Sequence, residues 1–145
     1  MRSLFWRFEM KWLMILLTTL VTPALAVDLN CMDNATNQTD MNICSRDLAT
    51  YADQKLQQLV KEINQKTPEH QAKMTKLIAA WQVYRDLECD YETLDFTGGS
   101  VYPLQYNSCY SGLTWQQIAN LKNQLCEGGD MGPDCAASHR YDAPK

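Results

Sequence analysis

Five acidic residues crowd a stretch of ten near the middle of the chain and are the first candidates for chemistry. Two carboxylates on either side of a glycosidic bond can hydrolyse it, one of them as a general acid. Residues two apart on a helix, however, point in different directions, and the spacing upstream predicts that this stretch ends a helix. We therefore interpret it as a solvated acidic helix end that could attract a cationic partner. Its members are Asp86, Glu88, Asp90, Glu92 and Asp95.

Ser100 follows Gly98 and Gly99, which raises the question of a serine nucleophile. The pattern is not G-x-S-x-G, and it follows a predicted helix instead of a strand. A nucleophilic serine also needs a general base within reach, and the chain has only two histidines, His70 and His139, of which the second lies in the tail. We therefore predict that the protein is not an enzyme and has neither catalytic residues nor a cofactor.

Arg85 lies on the flank of an apolar stripe, four residues after Trp81 and four before a cysteine. Such an arginine either binds an anionic ligand or pairs with a carboxylate inside the protein. We favour a structural role, because buried charges are normally paired. The register of a helical hairpin makes Asp47 and Asp53 the candidate partners, and we expect Trp81 to be a core residue.

The cysteine count is even, which in an exported chain predicts disulfides. The chain has no C-x-x-C pair, so a structural zinc site is disfavoured and we expect no metal. We favour pairing of Cys31 with Cys44 and of Cys89 with Cys109, although Cys44–Cys89 also fits the hairpin. The six cysteines are Cys31, Cys44, Cys89, Cys109, Cys126 and Cys135, and the last two would close a separate glycine-rich loop.

Helical periodicity places these residues on three helices. Apolar residues recur at steps of three and four from Met41 to Ile63, which predicts a first helix from Thr39 or Asp40 to residues 64–66. Thr67 and Pro68 then favour a restart, and a connection this short makes two helices antiparallel. The fold class we predict is all-α: a small, disulfide-bonded three-helix domain with an antiparallel helical hairpin.

The second and third helices are predicted from weaker patterns. The second would run from Pro68 to about Leu94. Thr114 and Gln117 form a capping box, Thr at N-cap and Gln at N3, so the third helix would begin there and stop at Gly128-Gly129. We expect the second helix to bury Met74, Leu77, Ile78, Trp81, Tyr84, Leu87, Tyr91 and Leu94, and the third to bury Ile118, Leu121 and Leu125.

Residues 1–26 have the pattern of a secretory signal peptide. Three basic residues precede an apolar run of ten, and Ala24-Leu25-Ala26 gives an A-x-A cleavage site. The run is short for a bilayer span, so we expect no membrane contact after cleavage and a periplasmic or secreted protein. Residues 27–135 would form one helical domain, and residues 136–145 have too few apolar residues to pack and are predicted to be disordered.

The charge balance bears on the class of partner. Residues 1–26 hold three of the 13 basic and one of the 17 acidic residues, so residues 27–145 carry 10 basic and 16 acidic residues, a net charge of −6. No basic stripe is present, which disfavours a nucleic-acid partner. An acidic surface favours encounter with cationic partners instead.

The segment between Cys89 and Cys109 has the composition of a recognition loop. Glycines allow close approach of the backbone, and tyrosines on a loop fixed at both ends suit protein recognition. The alternative is that the glycines only end the second helix and the tyrosines fill gaps beneath the loop. The candidate partner-binding residues are Gly98, Gly99, Ser100, Tyr102 and Tyr106.

Taken together and in order, several of these segments resemble the lysozyme inhibitor LprI-like N-terminal domain family. The resemblance runs through Cys31, residues 39–44, Ala52-Asp53 with Leu56, residues 81–89, Gly98-Gly99-Ser100, Cys109 and Leu113-Thr114. It implies a periplasmic, helical, disulfide-bearing domain that binds and inhibits lysozyme.

Two features depart from that family pattern. Trp115-Gln116-Gln117 stands where the family tends to carry an arginine, and Cys126 and Cys135 lie outside the motif. These two departures affect the identity of the partner more than they affect the fold. The leading hypothesis is an exported protein that inhibits lysozyme by protein–protein contact, and the alternative is a non-inhibitory structural or accessory module of the cell envelope. The sequence leaves the lysozyme class and the oligomeric state open.

Overall fold

The computed structural model describes residues 27–126 and 135–144, and within these ranges the chain is all-α without strands, as predicted. The three long helices are α1, Gln38–Lys66, α2, Gln71–Glu92, and α3, Tyr102–Leu121. Each is followed by a 3₁₀ segment, and a short helix α4, Ala136–His139, comes last. The 3₁₀ segments are Pro68–His70, Leu94–Phe96 and Lys122–Leu125.

The predicted signal peptide, residues 1–26, and the predicted stop at Gly128-Gly129 lie outside the described ranges. Among the helices that the structure describes, none combines the length and the apolar character needed to cross a bilayer.

Helix α1 is the central element, and its sequence defines it closely. Asn37 caps the helix, because its side chain accepts a hydrogen bond of 3.0 Å from the backbone N–H of Asp40. One face then carries small and apolar residues at helical spacing, which is why the predicted and observed bounds agree to within two residues. The buried residues of α1 are Cys44, Ser45, Ala49, Ala52, Leu56, Leu59 and Ile63.

The main core lies between α1 and α3. Lys66, at the end of α1, donates a 2.7 Å hydrogen bond to the carbonyl of Leu125, whereas Asn42, near its start, reaches the loop before α3. These contacts show that α1 and α3 run in the same direction. Helix α2 is antiparallel to them, because it follows α1 after a short connection and Cys89, near its end, is bonded to Cys109 in the first half of α3. The core cluster consists of Leu56, Leu59, Ile63, Ile118, Leu121, Leu125 and Tyr141.

The predicted start of the third helix was wrong. Helix α3 begins at Tyr102, twelve residues before Thr114, so Tyr102 and Tyr106 lie on a helix instead of a loop. Pro103 does not interrupt it, because the first N–H groups of a helix need no intrahelical acceptor. Thr114 is buried mid-helix, where its hydroxyl donates to the carbonyl of Tyr110 at 2.7 Å, an i−4 bond that replaces the expected cap.

The predicted inward face of α2 was also partly wrong. The residues that turn inward are Arg85 and Cys89, which are buried, and Ile78, Met74 and Trp81, which are partly buried. The sequence is apolar on two sides of this helix, and periodicity selected a mixture of both. Five residues that we expected to be buried are exposed, namely Leu77, Tyr84, Leu87, Tyr91 and Leu94.

The C-terminal segment is ordered where we predicted disorder. Residues 136–139 form α4, and Tyr141 is only 2% exposed within the core cluster. Lys122 pairs with Asp142, and Arg140 lies 2.8 Å from Glu62 of α1. Few apolar residues are enough here, because one aromatic ring fills the space between α1 and the end of α3.

The three predicted disulfides are present and use all six cysteines. Cys31–Cys44 fixes the lead-in to the first turns of α1, and Cys89–Cys109 joins α2 to α3. The alternative pair Cys44–Cys89 does not form. Cys126–Cys135 ties the end of the α3 region to α4, and such a link restricts the unfolded chain, which typically contributes about 2–4 kcal/mol to stability.

Candidate protein-binding site

The site is built around Arg85, whose side chain is only 4% exposed. Its Nη1 lies 3.1 Å from Oδ1 of Asp53 on α1, and its Nε donates to Oδ1 of Asp86 at 3.0 Å. A further bond of 3.3 Å runs from Nη1 to the hydroxyl of Thr114. Of the two predicted partners, Asp53 therefore makes the ion pair, whereas Asp47 pairs with its exposed neighbour Arg46.

Two aromatic rings enclose the same guanidinium. The Cζ atom of Arg85 lies 3.5 Å from the ring centroid of Tyr110 and 4.9 Å from that of Trp81. Attraction between a cation and the face of an aromatic ring is stronger where water is excluded. The hydroxyl of Tyr110 also donates to Oδ1 of Asp53 at 3.1 Å. Arg85 thus links all three helices, and its donors are directed at groups within the chain.

Tyr110 is the inner end of a row of tyrosines along α3. The ring centroids of Tyr102 and Tyr106 are 5.9 Å apart, and those of Tyr106 and Tyr110 are 6.4 Å apart. Spacing of four residues places side chains on one helical face. We call Tyr102, Tyr106 and Tyr110 the tyrosine row. It runs from Tyr110, which packs against Arg85, to the start of α3, and all three rings are partly buried.

The outer end of the tyrosine row meets a short turn that holds the three remaining predicted site residues. Gly98 has φ +81°, a conformation that favours glycine, and it is exposed together with Gly99 and Ser100. The turn is held in place because the side chain of Asn42 donates to the carbonyl of Ser100 at 2.9 Å. The predicted recognition loop is thus a five-residue turn, residues 97–101, followed by helix.

All five predicted partner-binding residues therefore lie together at one end of the molecule. This end also holds the N-terminus of α1, which the structure joins to the turn. Ser100 and His70 are far apart, because His70 follows the C-terminus of α1 at the opposite end. Among residues 27–126 and 135–144, no cluster of His, Cys, Asp and Glu side chains is placed to hold a metal ion.

The surface around the tyrosine row is concave and has carboxylates nearby. Partial burial raises the pKa of Tyr106, and the nearby carboxylates of Asp86 and Asp90 raise it further. A groove of about 450 Å³ between α1 and α3 adjoins the row. Aromatic rings beside carboxylates suit contact with a cationic protein surface. The groove is lined by Arg46, Ala49, Thr50, Asp53, Gln54, Gln57, Tyr106, Asn107 and Tyr110.

Titration of Tyr110 gives a pH-dependent prediction. Burial, followed by the charge of Asp53, raises the pKa of Tyr110 to about 12, against about 10 in an unfolded chain. The native state therefore retains this proton at pH values where the unfolded state has lost it. We expect the free energy of unfolding to fall as pH rises from about 10 to about 12.

Urea unfolding across this pH range measures the effect. Tyr110→Phe removes the titrating hydroxyl but keeps the ring over Arg85, so its stability should decline less steeply with pH than that of the parent. Equal slopes for the two proteins would contradict the assignment.

Three contributors to this site were missed from the sequence, namely Tyr110, Thr114 and Asp86. The signal for Tyr110 was its spacing of four and eight residues from Tyr106 and Tyr102. That spacing is informative only once the stretch is known to be helical, and the late predicted start of α3 concealed it.

Comparison with known proteins identifies a family for this chain. Residues 31–121 match the family model described as lysozyme inhibitor LprI. No curated protein and no solved structure matches the chain. The matched range contains α1, α2, all of α3 and two of the three disulfides. It also contains Arg85 and the residues that contact its side chain, namely Asp53, Trp81, Asp86, Tyr110 and Thr114. The match covers more than half of the residues of the chain, and the chain therefore belongs to the lysozyme inhibitor LprI family.

Proposed function

We propose that this protein is an exported inhibitor that binds a lysozyme and blocks its muramidase activity by protein–protein contact. The observation that carries the proposal is the family match over residues 31–121. Since that family is one of inhibitors, a role in binding is favoured over catalysis. We further propose that the partner is cationic and that a particular surface of the protein binds it.

Charge supports a cationic partner. Residues 27–145 carry a net charge of −6, and lysozymes are commonly basic with a carboxylate-lined cleft. Charge complementarity of this kind accelerates encounter and orients the partners more than it determines final affinity. Asp86 and Asp90 place part of the negative charge directly beside the tyrosine row.

The tyrosine row and the turn at residues 98–100 form the proposed contact surface. Tyrosine supplies a large, amphipathic contact with few rotatable bonds. The surface is preorganised, because Cys89–Cys109 joins α2 to α3 and the turn is hydrogen-bonded to α1. Less conformational entropy is then lost on binding. Ser100 and Tyr102 would make the outer contacts and Tyr106 the inner one.

Export is the setting that this function requires. The three disulfides form in an oxidising compartment, and residues 1–26 have the composition of a signal peptide. We place the mature protein in the periplasm or outside the cell, where lysozyme and the cell wall are accessible.

Calorimetric titration with a panel of lysozymes tests the surface. Ser100→Ala with Tyr102→Ala should weaken binding tenfold or more, about 1.4 kcal/mol, and should change the melting temperature little. We leave Gly98 and Gly99 unchanged, because Gly98 has a positive φ and a Cβ at Gly99 would lie 3.2 Å from the carbonyl oxygen of Phe96.

Tyr91→Ala is the matched control, since Tyr91 is a 74% exposed tyrosine on α2 outside the proposed contact. Its affinity should equal that of the parent. If the control weakens binding and the double variant does not, the contact surface lies on α2.

A further inference from the structure

Helix α2 carries an apolar stripe that faces away from the core. The exposed fractions of its large side chains run from 48% at Leu77 to 74% at Tyr91. Successive members are separated by three, four, three, four and three residues, the spacing of a coiled-coil seam. We call this set the α2 stripe: Leu77, Ala80, Tyr84, Leu87 and Tyr91 on α2, with Leu94 in the 3₁₀ segment that follows.

The α2 stripe does not contribute to the core. The opposite side of the same helix packs inward through Ile78, Trp81, Arg85 and Cys89. No described element covers the stripe. Single exposed apolar residues are common, whereas a contiguous row of them usually marks an interaction surface. The stripe extends over nearly the whole of α2, whose 22 residues correspond to about 33 Å.

The charges that flank the stripe have opposite signs at its two ends. Lys76 and Asp90 stand seven residues before and seven after Val83, on the same side of the stripe. All three are exposed, and in the described part of the chain neither Lys76 nor Asp90 makes an ion pair. Lys73 adds to the basic end and Asp95 to the acidic end.

We infer that the α2 stripe binds a second copy of this chain, with the two α2 helices antiparallel about a two-fold axis near Val83 and Tyr84. In that arrangement Lys76 of each copy meets Asp90 of the other. A parallel arrangement would place lysine against lysine and aspartate against aspartate. The interface is isologous, so one patch supplies both sides. Ala80, the one small residue of the stripe, leaves room for the ring of Tyr84 from the other copy.

The stripe and the tyrosine row are formed by different helices, and they adjoin at Asp90, whose carboxylate lies near Tyr106. A dimer joined through α2 would present two tyrosine rows, one from each copy. This inference stands without the proposed function, because it concerns self-association alone.

Sedimentation equilibrium of the protein purified after export, with its disulfides intact, tests the inference. The parent should show a monomer–dimer equilibrium. Leu87→Glu buries a carboxylate in the seam and should raise the dissociation constant about a hundredfold or more. Because Leu87 is 63% exposed, the circular dichroism and the melting of the monomer should not change.

A charge exchange tests the antiparallel orientation independently. Lys76→Asp and Asp90→Lys each create two like-charged contacts in a symmetric dimer and should weaken self-association about tenfold. Mixing the two variants restores both pairs, and the mixed dimer should match the parent within about threefold. Lys61→Asp, an exposed reversal on α1, is the control and should have no effect.

Two results would overturn the inference. One is a parent that stays monomeric at every concentration tested, and in that case loss of lysozyme binding by Leu87→Glu would assign the stripe to the enzyme. The other is a mixture of the two charge variants that associates no more tightly than either variant alone.

Discussion

Replacement of Arg85 by alanine should destabilise the protein by about 3 kcal/mol, the lower end of the range for breaking a buried ion pair. The lower end applies because Arg85 is 4% exposed while Asp53 is 26% exposed. The variant leaves Asp53 with an uncompensated charge and removes the cation between the rings of Tyr110 and Trp81. It also opens a cavity where α1, α2 and α3 meet.

The chain offers a matched control for this effect. Arg46 and Asp47 form an ion pair at the same distance of 3.1 Å, but their side chains are 64% and 47% exposed. Arg46→Ala should therefore change the free energy of unfolding by less than about 1 kcal/mol. The two ion pairs share their distance and differ in burial and in the further contacts that Arg85 makes with Asp86, Thr114 and two rings.

Urea unfolding of the three proteins at neutral pH gives both values. Arg85→Lys adds a test of geometry, because an ammonium group cannot bond Asp53 and Asp86 together while lying flat between two rings. It should recover only part of the lost stability. An Arg85→Ala protein that is as stable as the parent but no longer binds lysozyme would make Arg85 a contact residue and contradict its structural role.

Tyr141→Ala should produce the other large loss, about 3–4 kcal/mol. Tyr141 is 2% exposed and lies in the core cluster with Leu59, Ile118 and Leu125. Its removal leaves a ring-sized cavity and frees the C-terminal segment from α1. The segment would stay attached through Cys126–Cys135, so we expect hydrogen-exchange protection to be lost in residues 136–144 while α1 retains its own.

Tyr141→Phe is the conservative comparison. It keeps the buried ring and removes only the hydroxyl, so most of the stability should remain. If Tyr141→Ala unfolds at the same urea concentration as the parent, the C-terminal segment is not part of the core.

What the sequence predicted well depends on how many independent signals agreed. For α1, a single apolar face recurs at helical spacing and ends just before the restart at Thr67 and Pro68. The disulfides followed from proximity along the chain, since each pair closes a loop of at most 20 residues. Asp53 was within reach as a partner of Arg85, because a hairpin with a short turn has nearly fixed register.

What the sequence did not predict involves residues whose local signals conflict with the tertiary structure. Gly98 and Gly99 indicated a loop, and Thr114 with Gln117 matched the pattern of a helix cap, so the first turns of α3 were missed. On α2 both sides are apolar, and periodicity cannot say which side meets the core and which meets another protein. Tyr141 is a single residue in a polar tail, and only the space left by α1 and α3 explains its burial.

The most direct test of lysozyme inhibition is a titration of muramidase activity. Lysis of cell walls by a fixed amount of lysozyme is measured while the oxidised, exported protein is added, for several lysozyme classes. For at least one class we expect the rate to fall towards zero as the inhibitor approaches and passes equimolar amounts. Ser100→Ala with Tyr102→Ala should shift the curve to higher concentration. An unchanged rate for every class at large molar excess would contradict a role in lysozyme inhibition.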